Sequence, residues 1–365
     1  MNKMINKMMI VLFVGFIFVV SIANVFNEQI SFSNNENRYL SQFPSFTWDS
    51  FLEGKYTKKF EDFIQDQFVE RDFWIVVKAV TSQAFLKLEN NEVYLAKDEN
   101  LIDQFILYDE EQLIKNIGYI NRFEHPVSLM IVPSAASVNA SLLQPYSYNT
   151  NEDELLALIE SSLFDHVSYV DVASALKNTE NSYFRTDHHW NYYGSYLGYQ
   201  AFVESIGLEA ISQDYEVVSD GFKGSLLSKS GLFYYKPDEI MTYSPLDEVN
   251  VTITFEDGSS YDTLFFEENL LIKDEYTYYL DGNHALVEIV NHDIDNDETL
   301  LVVKDSFAHI MVPYLVNHYK TIIMVDLRYN KMSISDMIGQ REVDETLILY
   351  SLDNFTSDKN IVFLK

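Results

Sequence analysis

The sequence predicts an α/β fold, in which helices cover a mostly parallel sheet, behind an apolar N-terminal segment. From Asn100 onward, helical patterns alternate with short apolar runs rich in β-branched residues, and this alternation is typical of a sheet covered by helices. Two short polar blocks, around Asp187 and around Ser306, lie where such segments join. The 365 residues, 47% of them hydrophobic, are enough for one main domain and a smaller satellite.

The first element is a segment that is suited to a membrane. Lys3 and Lys7 precede 19 almost wholly apolar positions, Met8 to Phe26. A helix of this length just spans a bilayer, and its basic end is expected to stay in the cytoplasm. Residues 1–27 are therefore predicted to be a membrane anchor, with the bulk of the chain outside the cytoplasm.

Cleavage of this segment is the alternative. Ser21 and Ala23 form the small-x-small pair of a signal-peptide cleavage site. Val25 and Phe26 continue the apolar run beyond that point, which favours an uncleaved, single-pass protein of the cell membrane. A cleaved segment would make the protein secreted.

Composition excludes several classes of function. The formal net charge is -31, from 25 Lys and Arg against 56 Asp and Glu, which opposes a groove that neutralises a phosphate backbone. Nucleic acid is therefore not an expected partner. The absence of cysteine excludes disulfides, cysteine metal sites and thiol catalysis.

Residues 28–99 are predicted to form an N-terminal helical extension. Apolar positions between Lys58 and Leu86 recur at helical spacing. A break in this spacing near Val69 to Asp72 indicates two amphipathic helices rather than one.

The main domain is predicted to occupy residues 100–365. A β-rich insertion is expected at about 221–292, where strand follows strand and the Asp-Gly pairs at Gly258 and Gly282 signal turns. The segments of the main domain predicted as helices or strands are, in order, Glu110 to Phe123, Ser128 to Val132, Glu152 to Leu163, Ser168 to Val172, Asn191 to Ile206, Val249 to Phe255, Ala285 to Val290, Thr299 to Val303, Ser306 to Asn317, Thr321 to Val325 and Asn360 to Leu364.

The first polar block places Asp187, His188 and His189 directly before a helical segment. A carboxylate that accepts a hydrogen bond from one imidazole nitrogen fixes the tautomer and leaves the other nitrogen free as a base. Asp187 and His189 are the natural pair for this role. The structural alternative is that Asp187 or Asn191 caps the helix.

Metal binding is the competing chemistry for this block, because Asp and His are also metal ligands. Consecutive residues seldom direct two imidazoles at one ion, and the sequence offers no second HxH, HxxxH or DxD cluster. No metal and no cofactor are therefore expected.

The second polar block follows an apolar strand that ends at Lys304 and continues into Asp305 and Ser306. A strand that passes directly into a helix is where an α/β enzyme displays a nucleophile. Backbone N–H groups of the first helical turn would then support a developing oxyanion near Ser306. The structural alternative is that Asp305 or Ser306 is an ordinary N-cap.

Two candidate substrate contacts lie close to these blocks in sequence. His309 comes three positions after Ser306, on about the same face of the expected helix, and packing is its alternative role. His188 belongs to the first block, where a hydrogen-bonded structural role is the alternative.

Two further candidates follow predicted parallel strands. Arg328 lies beyond the strand that begins at Thr321, and Ser134 lies beyond the strand that ends at Val132. Active sites of open α/β sheets gather at the carboxyl ends of the strands. An ion pair with Asp326 is the alternative role of Arg328.

The sequence resembles the DHHW protein family, which is named for the tetrad that stands here as Asp187-His188-His189-Trp190. That family is similar to the SGNH-like domains of periplasmic alginate O-acetylation proteins. The segments that carry the resemblance are Glu36-Asn37-Arg38 with Leu40 and Pro44, Phe60 to Arg71, Val93-Tyr94-Leu95, the tetrad itself, and Lys304-Asp305-Ser306.

The resemblance implies a fold and a set of roles. The fold would be an SGNH-hydrolase-like, flavodoxin-like parallel sheet with a rearranged order of blocks. Asp187 would orient His189, His189 would act as base and acid, and Ser306 would attack. Lys304 stands where the Gly-Asp-Ser block of SGNH hydrolases has glycine, and the second oxyanion donor is unassigned.

The resemblance also implies serine-dependent O-acetyl transfer to a cell-wall or exported polysaccharide, outside the cytoplasm and without a cofactor. A multispanning membrane acyltransferase would deliver the acetyl group. A carbohydrate esterase with the same triad is one alternative, and a noncatalytic glycan-binding scaffold is another.

Overall fold

The computed structural model describes residues 2–244 and 246–364. The chain divides into two compact units, one of Met1–Lys87 with Ser228–Tyr234 and the other of Leu88–Leu227 with Tyr235–Lys365. They are called here the N-terminal unit and the sheet unit.

The N-terminal unit is mostly helical. It contains helix α1 (Asn2–Phe26), the paired strands β1 (Phe32–Ser33) and β2 (Arg38–Tyr39), and helices α2 (Trp48–Leu52), α3 (Lys55–Asp66) and α4 (Arg71–Ala84). The two amphipathic helices predicted between Lys58 and Leu86 are thus present as α3 and α4. Arg38 donates two hydrogen bonds to the Asp66 carboxylate, which ties the hairpin to the end of α3.

The sheet unit is built on an eight-stranded sheet. The thirteen strands of this unit are β3 (Glu89–Asn90), β4 (Val93–Leu95), β5 (Leu101–Asp103), β6 (Val127–Val132), β7 (Val167–Val170), β8 (Asp214–Phe222), β9 (Asp238–Ser244), β10 (Val251–Phe255), β11 (Ser260–Tyr261), β12 (Leu286–Asn291), β13 (Thr299–Lys304), β14 (Thr321–Val325) and β15 (Glu345–Ser351). The order in the large sheet is β11-β10-β12-β14-β13-β15-β6-β7. Strands β14, β13, β15, β6 and β7 are parallel, and β12, β10 and β11 extend them in antiparallel fashion.

Helices cover both faces of this sheet. They are α5 (Glu110–Asn121), α6 (Ala135–Val138), α7 (Glu152–Ser161), α8 (Val172–Lys177), α9 (Tyr192–Ser205), α11 (Val312–Leu315), α12 (Ile334–Gln340) and α13 (Leu352–Ser357). Helix α10 (Ser225–Ser230) has residues in both units. Alternate side chains of one strand enter opposite cores: Val302 of β13 packs with α9 and α11, while Leu301 and Val303 pack with α5, α7, α12 and α13. This arrangement explains why the parallel strands are nearly continuous apolar runs.

The predicted α/β architecture with a largely parallel sheet is therefore confirmed. The helix predicted over Ser306 to Asn317 is wrong in extent, because the segment forms a 3-10 helix (Ser306–Ala308) and then only the short α11. The carboxyl ends of β6, β13, β14 and β15 lie at one edge of the sheet, and the polar residues that follow these strands gather there.

Candidate active site

Three polar side chains from two distant segments meet at this edge. The Nδ1 atom of His189 lies 2.6 Å from Oδ1 of Asp187, and its Nε2 atom lies 2.8 Å from Oγ of Ser306. Asp187 and His189 are buried, whereas Ser306 is half-buried. The sequence-predicted triad is thus a continuous hydrogen-bonded relay with its hydroxyl end nearest to solvent.

The electrostatics of the relay fix its protonation state. Burial raises the pKa of the Asp187 carboxyl, but the charges of His188 and His189 and the hydrogen bonds from His189 and the Ser225 N–H outweigh burial and hold this pKa well below its usual value. Burial and the neighbouring His188 lower the pKa of His189 to about 4, against the opposing effect of Asp187. Near neutral pH, Asp187 is therefore an acceptor for Nδ1–H, and the free Nε2 of neutral His189 accepts from the Ser306 hydroxyl.

The backbone around Asp187 holds its carboxylate in place. The Ser225 N–H donates to Oδ2 at 2.7 Å, and the His189 N–H donates to Oδ1 at 3.1 Å. Gly224 passes so close that a Cβ there would lie 2.4 Å from Cβ of Asp187 and 2.5 Å from the Thr186 carbonyl oxygen. Only glycine fits at this approach.

Asp238, at the start of β9, holds the preceding turn. Its carboxylate accepts from the N–H groups of Arg185 (3.0 Å) and Thr186 (2.8 Å) and from the Thr186 hydroxyl (2.6 Å). The Thr186 hydroxyl also accepts from the Gly224 N–H at 3.1 Å. Three segments are thereby fastened around the Asp187 side chain.

Trp190 links the two polar blocks. Its indole N–H donates to the Phe307 carbonyl at 2.9 Å, and the side chain is fully buried. A Cβ at Gly198 of α9 would lie 2.6 Å from the Trp190 ring. The tetrad therefore supplies the acid–base pair and also an indole that holds the segment after Ser306 in place.

Tyr276 is part of the site although no sequence pattern singled it out. Its ring stacks on the His189 imidazole, with centroids 3.9 Å apart and planes at 5°, and its hydroxyl donates to the Ser306 carbonyl at 2.9 Å. It lies in a 3-10 helix, Glu275–Tyr278, within an aromatic stretch that offers no local reason to choose one tyrosine over its neighbours.

Asp305 is the N-cap of the 3-10 helix that Ser306 begins. One carboxylate oxygen accepts from the Phe307 N–H at 2.9 Å, and the other accepts from the N–H and hydroxyl of Ser351 and from the Asn354 amide, each at 2.8 Å. Among the described residues no acceptor is assigned to the Ser306 N–H. The Ser306 N–H is therefore able to donate to a ligand, whereas the Phe307 N–H is already engaged by Asp305.

Lys304, which stands in the place of the glycine, has its side chain fully buried. Its ammonium group lies 2.7 Å from Nε2 of His309 and 3.5 Å from the carboxylate of Asp326. Burial lowers the pKa of Lys304 to about 8, against the opposing charge of Asp326. His309 is itself 1% exposed, so its imidazole is bonded to Lys304 inside the fold.

Arg328 also pairs with the carboxylate of Asp326. Its Nε atom donates to Oδ1 of Asp326 at 2.9 Å and its Nη2 atom to Oδ2 at 2.6 Å. A further contact of 3.3 Å joins Nη2 to the Asn283 side chain. The ion pair with Asp326 is therefore formed.

Ser134 and His188 line one cavity of about 210 Å³ beside the triad. Ser134 caps α6 and donates its hydroxyl to Glu152, and His188 lies 2.8 Å from the Ser225 hydroxyl through Nδ1. The other residues around the cavity are Asp103, Gln104, Phe105, Val132, Pro133, Ala135, Phe307, Ser351, Leu352, Asp353 and Asn354.

The polar block around Asp187 also contains residue types that bind metal ions. Asp187, His188 and His189 place three atoms that metals bind within 4.8 Å of one another. The atoms of Asp187 and His189 are already joined by the 2.6 Å hydrogen bond, in a buried position. The geometry suits proton transfer better than coordination, because a metal ion would have to break this bond.

The residues of this site lie within a segment that matches a known protein family. A family model described as "DHHW protein" matches residues 94–325, more than half of the chain, including the tetrad and Ser306. No curated protein matches the sequence.

Solved structures share the fold. A DHHW family protein from Eubacterium siraeum superposes with a TM-score of 0.65 at 22% identity, over 75% of this chain and 95% of that chain. Bacillus cereus PatB1 with a sulfonyl adduct superposes with a TM-score of 0.63 at 20% identity, over 75% of this chain and 98% of that chain.

Proposed function

The chain belongs to the DHHW protein family, and from that premise we propose that it is an extracytoplasmic serine acyltransferase, which moves an O-acetyl group onto a cell-wall or exported polysaccharide. The observation that carries the proposal is the relay from Asp187 through His189 to Ser306, with heavy-atom distances of 2.6 and 2.8 Å. A nucleophile within hydrogen-bonding reach of a base that is oriented by a third group is the arrangement of serine acyl transfer.

The first half-reaction acylates Ser306. His189 takes the hydroxyl proton at Nε2 as Oγ bonds to the acetyl carbonyl carbon, and the Ser306 N–H donates to the resulting oxyanion. When the tetrahedral species collapses, the bond to the donor's oxygen breaks and His189 returns the proton to that oxygen. Asp187 stabilises the imidazolium between these steps.

The second half-reaction transfers the acetyl group to a sugar hydroxyl. His189 removes the proton of that hydroxyl as its oxygen attacks the acyl-enzyme, and it then protonates Oγ of Ser306 as the ester bond to serine breaks. The cavity beside His188 and Phe307 is the proposed place for the acceptor. It combines apolar and polar side chains, as a sugar ring with its hydroxyl groups requires.

The fold relative supports nucleophilic chemistry. Bacillus cereus PatB1 is known with a sulfonyl adduct. Sulfonyl groups attach covalently to nucleophiles such as a serine oxygen activated by histidine. The same chemistry is proposed for Ser306.

The N-terminal helix supports the proposed location. Lys3–Phe26 is long and apolar enough to cross a membrane, and a signal sequence passes the same test. A tether would hold the sheet unit at the outer face of the cell membrane. A multispanning membrane acyltransferase is the proposed source of the acetyl group there.

The test is acetyl transfer by the full-length chain in detergent, with p-nitrophenyl acetate as donor and soluble oligosaccharides as acceptors. Mass spectrometry of the acceptor should show added acetyl with the wild type and none with Ser306→Ala. Release of acetate without acetylated acceptor would identify a carbohydrate esterase. Neither product from a folded protein would favour a noncatalytic glycan-binding scaffold.

A further inference from the structure

The N-terminal unit exposes far more large apolar side chains per residue than the sheet unit. Residues 28–87 contain fourteen exposed large apolar or aromatic side chains, against sixteen among the described residues of the sheet unit, which is more than four times as long. The fourteen are Ile30, Tyr39, Phe43, Phe46, Trp48, Phe51, Leu52, Ile64, Phe73, Trp74, Val77, Val80, Phe85 and Leu86. Such a density of exposed apolar side chains is typical of an interaction surface, whereas apolar residues exposed one at a time are common on any protein.

Four of these side chains, Phe43, Phe46, Trp48 and Phe51, form a connected patch with the half-buried Tyr56, Phe60 and Phe63, called here the aromatic belt. It runs from Trp48 and Phe51 through Phe46 and Tyr56 to Phe60, with successive ring centroids 5.1 to 6.2 Å apart. Phe43 and Phe63 continue it through further edge contacts. The belt therefore joins the loop before α2 to the apolar side of α3.

The belt leads into an open apolar groove of about 690 Å³ between α1 and α3. From α1 the groove is lined by Phe16, Ile17 and Val20, and from the rest of the unit by residues that include Phe43 and Phe63. Phe16 lies ten residues before the end of α1, which is about 15 Å along a helix. A groove lined by this half of a membrane span lies at the depth of the outer leaflet.

Polar contacts fix α1 to α3 and α4 at the top of the groove. Asn24 accepts a hydrogen bond from the Val69 N–H at 2.8 Å, and the Asn27 amide donates to the Gln67 carbonyl at 3.1 Å. The Phe16 and Trp74 rings meet edge to face at 6.4 Å. These contacts hold α1, α3 and α4 in one fixed arrangement.

Three lysines lie beside the belt at the start of α3, although residues 48–66 carry five acidic side chains against these three. Lys55, Lys58 and Lys59 are exposed within five residues. Lys55 pairs with Glu53 at 2.6 Å, and no carboxylate lies within 4 Å of Lys58 or Lys59 among the described residues. Lysines beside Trp, Tyr and Phe on an amphipathic helix are typical of a membrane–water interface.

We propose that helices α2–α4 lie in the outer leaflet of the membrane, with lipid acyl chains in the groove and the aromatic belt at the headgroup boundary. The occupant is lipid because the groove combines side chains from the span with a surface that ends in aromatic rings and lysines. The N-terminal unit is then a monotopic platform beside its own anchor. This proposal rests on the membrane tether and is independent of the catalytic chemistry.

The absence of cysteine makes a clean test available. Leu52→Cys in the belt region (79% exposed) and Leu271→Cys in the sheet unit (88% exposed) are matched positions. Each full-length variant is labelled with the environment-sensitive fluorophore NBD and reconstituted into vesicles of phosphatidylcholine and phosphatidylglycerol. A second set of vesicles carries brominated acyl chains as quenchers.

The proposal expects the label at position 52 to brighten severalfold on reconstitution and to be quenched by brominated lipid, while the label at 271 does neither. Lys58→Glu combined with Lys59→Glu should weaken the response at position 52 in vesicles rich in phosphatidylglycerol. Equal responses at 52 and 271 would overturn the proposal. A label at position 52 that responds only when a membrane protein is added would also overturn the proposal, because the surface would then bind protein rather than lipid.

Discussion

Tyr276 lies flat against His189, with ring centroids 3.9 Å apart, and donates its hydroxyl to the backbone carbonyl of Ser306 at 2.9 Å. One side chain thus contacts both the proposed base and the backbone of the proposed nucleophile. It fixes the imidazole plane by packing and the serine by a hydrogen bond. The two functions can be separated by substitution.

Tyr276→Phe keeps the ring and removes the hydrogen bond to Ser306. A bond of this kind contributes about 1 kcal/mol, so ester cleavage should fall by about fivefold. Tyr276→Ala also removes the stacked ring and should lower activity by about 100-fold, with a lower unfolding temperature from the cavity. Equal activity in both variants would show that the stack does not position His189.

Gly224 tests the close approach to Asp187. In Gly224→Ala the new Cβ meets Cβ of Asp187 at 2.4 Å, so the loop must shift and the Ser225 N–H must leave the carboxylate. We expect about 1–3 kcal/mol of destabilisation and a drop in kcat measured with p-nitrophenyl acetate.

Gly339→Ala is the control for this substitution. Nothing lies within 4 Å of a Cβ at Gly339 in α12, so this variant should keep full activity and be slightly more stable. Full activity in Gly224→Ala as well would contradict the role assigned to the Asp187 loop.

The pH profile follows from the state of His189. His189 acts as a base only when neutral, and its pKa in the fold is about 4. The rate should therefore rise with pH through about 4 and stay level toward neutrality. His188→Ala removes a charge that lowers this pKa, so the acid limb should move to higher pH. A wild-type limb near the ordinary histidine value of 6.5 would contradict this account.

The contact between the buried Lys304 and Asp326 is predicted to stabilise the fold. Asp326→Asn leaves the buried Lys304 ammonium without a carboxylate and should cost about 3 kcal/mol of unfolding free energy. Lys304→Met leaves Asp326 bonded to Arg328 and should cost about 1 kcal/mol or less. Urea unfolding of both variants measures the difference. The reverse order would mean that Lys304 is not held by Asp326.

The sequence predicts the fold where its signals are local. Periodicity predicts α5, α7 and α9, and apolar runs predict β6, β13 and β14, each with nearly the observed bounds. Strand β15 lies at the centre of the parallel sheet, yet no motif draws attention to it. The closing segment Asn360 to Leu364 forms part of a 3-10 helix, Lys359–Leu364, since packing against α5 and α12 decides its shape.

From the sequence, only those site residues can be predicted whose side chains are typical of catalysis. Asp187, His189 and Ser306 are predicted because few other side chains in these blocks can act as acid, base or nucleophile. Tyr276 and Asp238 act through contacts made across the fold, 30 and 52 residues from the groups that they hold. No local pattern marks such contacts. The partners of Lys304 were equally hidden, because Asp326 comes from the neighbouring strand.

The most direct test of the central claim is covalent modification of Ser306. Full-length protein is treated with a sulfonyl fluoride or with p-nitrophenyl acetate, and intact mass and peptide mapping locate the adduct. The account predicts one adduct on Ser306 in the wild type and none in Ser306→Ala, with slower modification in His189→Ala. No adduct on Ser306 in a folded wild-type protein, or an adduct that persists in Ser306→Ala, would contradict it.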